Sequence, residues 1–221
     1  KLKNIAERCH AKVVISEKVI GVDGSFTFEQ IRKKLSSDGI CKFNIPDGDD
    51  VSEILFTTGT TGKEKGIVLT HLSAVAVAEN IAYGVKMQSD NVEMIPSPLN
   101  HSHGLRSYYA NMIVGATVII QKNVIDMQSF FSNIEKYGVN SMDLIPSALN
   151  IILMLSGNKL GEYCNQLRYI ESGAAPMADG DREKIKKLLP HVPLYNFYGS
   201  TESGRVTVHN FNSAVNKKGC I

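Results

Sequence analysis

The chain has 221 residues, of which 43% are hydrophobic and 21% are charged, proportions typical of a globular protein with a buried core. Positive and negative residues are mixed and leave a net charge of only +2, so no basic segment indicates nucleic-acid binding. The longest apolar runs fall far short of the roughly 20 residues that a membrane span needs. Four widely spaced cysteines without a C-x-x-C pair predict neither a zinc site nor a disulfide framework, and they favour a reducing, cytoplasmic location.

Short β-rich runs alternate with amphipathic helical patterns, which predicts an α/β fold with layered β-sheets flanked by helices. No Pro-, Gly- or Ser-rich linker divides the chain, so we expect residues 1–221 to form a single domain. The predicted elements, in chain order, are strand 12–16, helix 27–36, strands 53–57 and 66–70, helix 71–84, strand 92–96, helix 103–114, strand 116–121, helix 127–137, strand 141–145, helix 147–155, strand 168–172, helix 178–188, and strands 194–198 and 205–209.

A stretch rich in Thr, Gly and Lys follows the apolar strand at 54–56. Its glycines let the backbone turn several N–H groups toward one point, its threonines add hydroxyl donors, and its lysines add positive charge. This composition predicts a loop that cradles a polyphosphate. The residues expected to line it are Thr57, Thr58, Gly59, Thr60, Thr61, Gly62, Lys63 and Lys65.

This loop does not fit the Walker A motif. That motif reads Gly-x-x-x-x-Gly-Lys-Ser/Thr, but Thr57 stands where the first Gly is required and Glu64 where the Ser or Thr is required. A Walker loop also opens a helix, whereas residues 67–69 are strand-like. A P-loop kinase is therefore the weakest alternative.

The stretch instead resembles the phosphate loop Thr-Ser-Gly-Thr-Thr-Gly-x-Pro-Lys-Gly of the adenylate-forming superfamily, which includes acyl-CoA synthetases and aryl-CoA ligases. Thr58 replaces the usual Ser, and Glu64 replaces the usual Pro. Three further segments follow in the family's order. Residues 98–105 resemble Pro-Leu-x-His-x-x-Gly-Leu, residues 172–177 resemble Ser-Gly-Gly-Ala-Pro-Leu, and residues 196–202 resemble Asn-x-Tyr-Gly-x-Thr-Glu.

The chemistry of these segments suits a nucleotide site. Tyr198 can stack on a purine, Asn196 can pair with the adenine edge, and Glu202 can take one position on Mg²⁺. The resemblance implies catalytic roles for His101, beside the reacting carboxylate, and for Thr201, Glu202 and Lys65. It also implies nucleotide contacts for Gly173, Ala174, Ala175, Pro176, Asn196, Phe197, Tyr198, Gly199, Ser200 and Thr201. No role is predicted for His103, and a metal site shared by the two histidines at 101 and 103 is disfavoured.

The resemblance implies an AMP-forming acid–thiol ligase. ATP and Mg²⁺ would activate a carboxylic acid as an acyl-adenylate, and CoA or an acyl-carrier protein would then accept the acyl group, in a setting such as fatty acid metabolism. An amino acid is disfavoured because residues 100–106 contain no Asp. The motifs match the central part of the family's large N-terminal domain, without its C-terminal lysine domain. We therefore expect these 221 residues alone to be inactive. A non-catalytic nucleotide-binding module is the alternative.

Overall fold

A computed structural model describes residues 2–34, 44–58 and 64–212. The chain divides into two compact units, Lys1–Pro46 and Asp47–Ile221. In the first unit, helix α1 (Leu2–Arg8) precedes strand β1 (Val14–Ser16), which pairs in parallel with β2 (Ser25–Thr27). Helix α2 (Phe28–Lys34) follows β2 directly, and the side-chain oxygens of Thr27 and Gln30 accept hydrogen bonds from each other's backbone N–H at its start.

The second unit contains a hairpin, a six-stranded sheet and five α-helices among its described residues. Strands β3 (Val51–Thr58) and β4 (Glu64–Thr70) form the antiparallel hairpin. The remaining elements, in chain order, are α3 (His71–Gly84), β5 (Val92–Ile95), α4 (Ser102–Val114), β6 (Thr117–Ile120), α5 (Met127–Tyr137), β7 (Ser141–Leu144), α6 (Pro146–Leu155), a 3₁₀ helix (Lys159–Tyr163), β8 (Tyr169–Gly173), α7 (Asp179–Leu188), β9 (Leu194–Ser200) and β10 (Gly204–Asn210).

The six-stranded sheet has the order β10-β9-β8-β7-β5-β6. Its strands run parallel except for β10, which returns antiparallel beside β9. The carboxyl ends of β5, β8 and β9 therefore meet at one edge of the sheet. Ligands of parallel α/β sheets bind at this edge, because the loops that leave it converge there.

The two faces of the sheet differ in chemistry. One face is apolar: Met94, Met142 and Ile170 pack there in a core that includes side chains of α5, α6 and α7. On the other face lies a smaller cluster with α3 and α4, which includes Tyr169. The residues that alternate with the apolar ones along β5, β7 and β8 include fully buried acids. One face of the sheet thus carries buried charge.

The predicted α/β class is confirmed, and each predicted element is present with ends within two residues, apart from the last residues of helix 27–36, which lie outside the described residues. The sequence patterns missed α1, β2 and the 3₁₀ helix, which are short. The expectation that residues 1–221 form one domain stays a prediction. No helix among the described residues is long and apolar enough to cross a membrane.

Candidate nucleotide and acid site

The hairpin of β3 and β4 holds the predicted phosphate loop at its tip. Thr57 pairs with Lys65 and Thr58 with Glu64 in the antiparallel register, so the loop begins and ends on adjacent strands. This arrangement confirms the strand that was expected after the loop in place of a Walker-type helix. Gly59, Thr60, Thr61, Gly62 and Lys63 lie outside the described residues, and their phosphate-binding role stays a prediction.

A cavity of about 530 Å³ opens at the carboxyl ends of β8 and β9, within the size range of small-molecule sites. Seven of its lining residues were predicted to contact nucleotide: Ala174, Ala175, Pro176, Asn196, Phe197, Tyr198 and Gly199. Tyr198 is 57% exposed, so its ring is accessible for stacking on a base. The wall is completed by four residues that were not predicted to contact the nucleotide: Met177, Asp179, Arg182 and Phe211.

Close backbone packing shapes this cavity. A Cβ on Gly173 would lie 2.6 Å from the Phe197 ring, and one on Gly199 would lie 2.0 Å from the Gly204 carbonyl oxygen. Ala174 has φ = 67°, a left-handed conformation that non-glycine residues rarely adopt. The family's usual motif has Gly at this position, so Ala174 introduces local strain where the two predicted segments meet.

Glu202 lies exposed in the turn between β9 and β10. Hydrogen bonding from the backbone and from the Ser200 side chain, together with the charge of Lys65, lowers the pKa of its carboxyl. Lys65, at the base of the phosphate loop, thus acts electrostatically on the segment predicted to bind metal. No cluster of three His, Cys, Asp or Glu side chains forms a metal site within the part of the chain that the structure describes. A Mg²⁺ ion on Glu202 would therefore take its other ligands from phosphate oxygens and water.

A second cavity, of about 190 Å³, adjoins the first and shares Ala174, Phe197 and Gly199 with it. Its polar side is formed by the start of α4 and the β9–β10 turn, where the Ser102 and Thr201 hydroxyls lie 3.3 Å apart. The other lining residues are His103, Arg106, Ser200, Gly204 and Arg205. His101 precedes α4 with an exposed side chain outside this lining, and its predicted role beside the substrate stays a prediction.

A buried ion network lies behind the smaller cavity. The Nε2 atom of His103 lies 2.5 Å from Oδ1 of Asp143, and Arg205 contacts both Asp143 and Glu171. Burial opposes the ionised form of Asp143, but His103 and Arg205 outweigh it and lower the pKa of this carboxyl. Burial raises the pKa of Glu171 to about 7 although the Arg205 guanidinium opposes the shift. Ser107 donates a hydrogen bond to Asp143 from α4.

Glu93 continues the acidic layer on β5. Asn111 of α4 donates to one of its oxygens, and the Tyr169 hydroxyl donates to the other at 3.0 Å. Burial and the nearby Asp143 raise the pKa of Glu93 to about 8. This carboxyl is therefore mostly protonated at neutral pH.

Sequence reasoning missed this network, including His103. One signal was available: Glu93 and Asp143 each interrupt a strand whose other residues are mostly apolar, and Glu171 directly follows Tyr169 and Ile170. Acids in such strands are rarely buried without partners. The partners themselves, on α4 and β10, are distant in sequence and could not be paired with these acids from the sequence alone.

Known proteins share both sequence and fold with this chain. The model of the AMP-binding enzyme family matches residues 1–221. The chain is 31% identical to 4-coumarate–CoA ligase-like 6 of Arabidopsis thaliana, over 88% of this chain and 37% of that protein. It is 32% identical to 4-coumarate:CoA ligase 1 of Petunia hybrida, over 74% of this chain and 31% of that protein. The chain thus spans less than two fifths of these relatives.

Solved structures show the same fold. The inhibitor-bound N-terminal domain of FACL13 from Mycobacterium tuberculosis matches with a TM-score of 0.73 at 23% identity, covering 83% of this chain and 46% of that one. The N-terminal subdomain of Klebsiella oxytoca NpsA, in complex with 3-hydroxybenzoyl-AMSN, gives a TM-score of 0.80 at 14% identity, covering 96% and 54%. The family model and the shared fold agree with the four motifs read from the sequence, and the chain belongs to the AMP-binding enzyme family, as the resemblance to adenylate-forming enzymes predicted.

Proposed function

We propose that the protein containing this chain activates a carboxylic acid with ATP, forming an acyl-adenylate, and then transfers the acyl group to a thiol. In the first step a carboxylate oxygen attacks the α-phosphorus, the bond from that phosphorus to the bridging oxygen breaks, and pyrophosphate leaves. In the second step the thiol displaces AMP and loses its proton. The chain spans only part of its relatives, so this activity is proposed for the whole protein.

The observation that carries the proposal is the pair of adjoining cavities at the sheet edge. The larger one has an accessible aromatic ring, Tyr198, and a buried amide, Asn196, as a purine site requires. The smaller one is lined by hydroxyl and cationic side chains, as a carboxylate requires. Because the cavities share Phe197 and Gly199, a ligand in each would meet at the carboxyl end of β9.

Residues in and near the β9–β10 turn suit the charge that develops during adenylation. Two anions must approach each other, and negative charge then spreads over the phosphoryl oxygens and the pyrophosphate. Lys65 carries a positive charge beside Glu202, and Glu202 is held ionised by its lowered pKa. Mg²⁺ held by Glu202 would supply further compensation of the phosphate charge. The Thr201 hydroxyl would donate to the phosphate or to the carboxylate.

CoA is the proposed thiol, because the relatives named above are CoA ligases, and a carrier protein is the alternative acceptor. A cytoplasmic location is proposed from the scattered cysteines alone. Nucleic acid is not a proposed partner, since the charge is small and evenly mixed.

The nucleotide site is tested by calorimetry with the wild-type chain, Tyr198→Ala and Glu202→Ala, each titrated with Mg·ATP and with metal-free AMP. We expect Tyr198→Ala to weaken the binding of both ligands about tenfold or more, because both present the same base for stacking. Glu202→Ala should weaken the binding of Mg·ATP by a similar factor and change the binding of AMP less than about twofold, because Glu202 acts through the metal.

Tyr83→Ala and Glu183→Ala are the matched controls. Both side chains are exposed, and neither lines either of the two cavities. Neither change should alter the affinity for either ligand. If the wild type binds and Tyr198→Ala binds equally well, the assignment of the base to this cavity is wrong. If the wild type binds neither ligand, the nucleotide site itself is refuted for this chain.

A further inference from the structure

Arg106 is buried and incompletely paired. Its side chain is only 3% exposed, and its Nη2 atom forms an ion pair with Glu53 of β3. Its Nε and Nη1 atoms are also buried, and neither has a hydrogen-bond partner among the described residues. Buried guanidinium N–H groups are costly to leave without an acceptor, so two such groups on one side chain call for an explanation.

The unpaired nitrogens belong to a residue that lines the smaller cavity. Beside Arg106 the cavity presents the Ser102 and Thr201 hydroxyls, His103 and Arg205. The Nδ1 atom of His103 is likewise buried without a partner in the described part of the chain. No carboxylate is present among the lining residues that the structure describes, since Asp143, Glu171 and Glu53 lie behind these groups. The cavity therefore offers hydrogen-bond donors and lacks acidic acceptors.

We propose that the acid activated by this protein is small and carries a second carboxylate, which Arg106 binds at the far end of the smaller cavity. This inference rests on the proposed function, because it assigns the reacting carboxylate to the junction near Thr201. The second carboxylate would accept a hydrogen bond from the Nε or the Nη1 group of Arg106, and the charge of the guanidinium would strengthen that bond.

The dimensions agree with a short diacid. Ser102 contacts Thr201 at the junction, and Arg106 follows Ser102 by four residues on α4, which is about 6 Å along a helix axis. A chain of roughly four or five carbons spans a similar distance. The cavity volume of about 190 Å³ is little more than the roughly 150 Å³ that accommodates benzene in an engineered protein cavity.

Stable mimics of the acyl-adenylate test the inference. The full chain is titrated with 5′-O-sulfamoyladenosine, with its N-succinyl derivative, and with its N-4-methylpentanoyl derivative, in which an isopropyl group replaces the second carboxylate at nearly the same size. We expect the succinyl compound to bind about 10- to 100-fold more tightly than the 4-methylpentanoyl compound, as expected for hydrogen bonds between charged groups in a buried site.

A double variant, Glu53→Gln with Arg106→Gln, removes the guanidinium without leaving its carboxylate partner buried and unpaired. It should abolish this preference while leaving 5′-O-sulfamoyladenosine binding unchanged. Arg168→Gln is the matched control, because Arg168 pairs with Asp90 on an exposed surface, and it should retain the preference. Thermal unfolding verifies that each variant is folded.

The outcomes separate the inference from the proposed function. If the parent compound binds but the 4-methylpentanoyl derivative binds as tightly as the succinyl derivative, the inference is wrong and the nucleotide site stands. If the double variant lost the same factor of affinity for both derivatives, that result would also contradict a specific role for Arg106. If none of the three compounds binds to the wild type, the proposed function fails, and the inference fails with it.

Discussion

The buried carboxyl of Glu93 makes folding stability depend on pH in a way that one substitution should remove. Glu93 lies on the sheet face under α4 with no exposed surface, held by Asn111 and Tyr169. The change Glu93→Gln keeps the shape of the side chain and removes its ionisation. The Oδ1 atom of Asn111 has no partner among the described residues, so it is available to accept a hydrogen bond from the glutamine amide.

The direction in which stability changes with pH follows from the raised pKa of Glu93. The folded chain binds the Glu93 proton more tightly than the unfolded chain, so the contribution of Glu93 is fully present below pH 4.5 and is lost as pH rises through about 8. Since one pKa unit corresponds to about 1.4 kcal/mol, the full loss is at most about 5 kcal/mol. Partial relaxation of the site reduces this, and we expect roughly 2–5 kcal/mol.

The free energy of unfolding in urea, followed by circular dichroism from pH 5 to pH 9, measures this effect. Wild type and Glu93→Gln should differ by less than about 1 kcal/mol at pH 5, and the variant should be more stable at pH 9 by roughly 2 kcal/mol or more. Glu183→Gln, on the exposed face of α7, should follow the wild type at every pH. A constant difference between wild type and Glu93→Gln across the range would refute the assignment of a raised pKa to this carboxyl.

Three further substitutions test the local structure. Ala174→Gly should stabilise the chain by about 1 kcal/mol, because glycine adopts a left-handed backbone without strain, and should raise the melting temperature by about 2–4 °C. Gly199→Ala places a Cβ against the Gly204 carbonyl and should destabilise the chain by roughly 2–4 kcal/mol and weaken AMP binding in calorimetry; an unchanged melting temperature would contradict this close packing. Asp126→Ala removes the side chain that caps α5 through the Ser129 N–H, and should lower the free energy of unfolding in urea by about 1 kcal/mol without affecting AMP binding.

The sheet and the larger cavity were predictable from the sequence because their signals are local. Apolar runs and amphipathic periodicity placed the strands and helices, and parallel strands bring their carboxyl ends to one edge. The segments around Ala174 and Tyr198 therefore lie together, and they line one cavity. The short elements α1 and β2 escaped prediction because a few residues carry too little periodic pattern.

The smaller cavity was not predictable in the same way, because its character depends on pairs that are distant in sequence. Arg106 is paired with Glu53, and Arg205 is paired with Asp143 and Glu171. In the sequence, Glu53, Arg106 and Arg205 look like ordinary exposed charged residues. Only the register of the strands, and the rotation of α4 above them, shows that they are buried together.

The buried polar layer is better understood as a device that orients α4 than as a source of stability. Taking several charges out of water offsets most of the attraction between them, so the net contribution to folding is small. Hydrogen bonds are directional, however, and His103, Ser107 and Asn111 form a stripe at four-residue spacing whose members contact acids of the sheet. An apolar interface would tolerate rotation of the helix about its axis, whereas these bonds fix it. The adjacent stripe, Ser102 and Arg106, is thereby held in the wall of the smaller cavity, where the proposed acid binds.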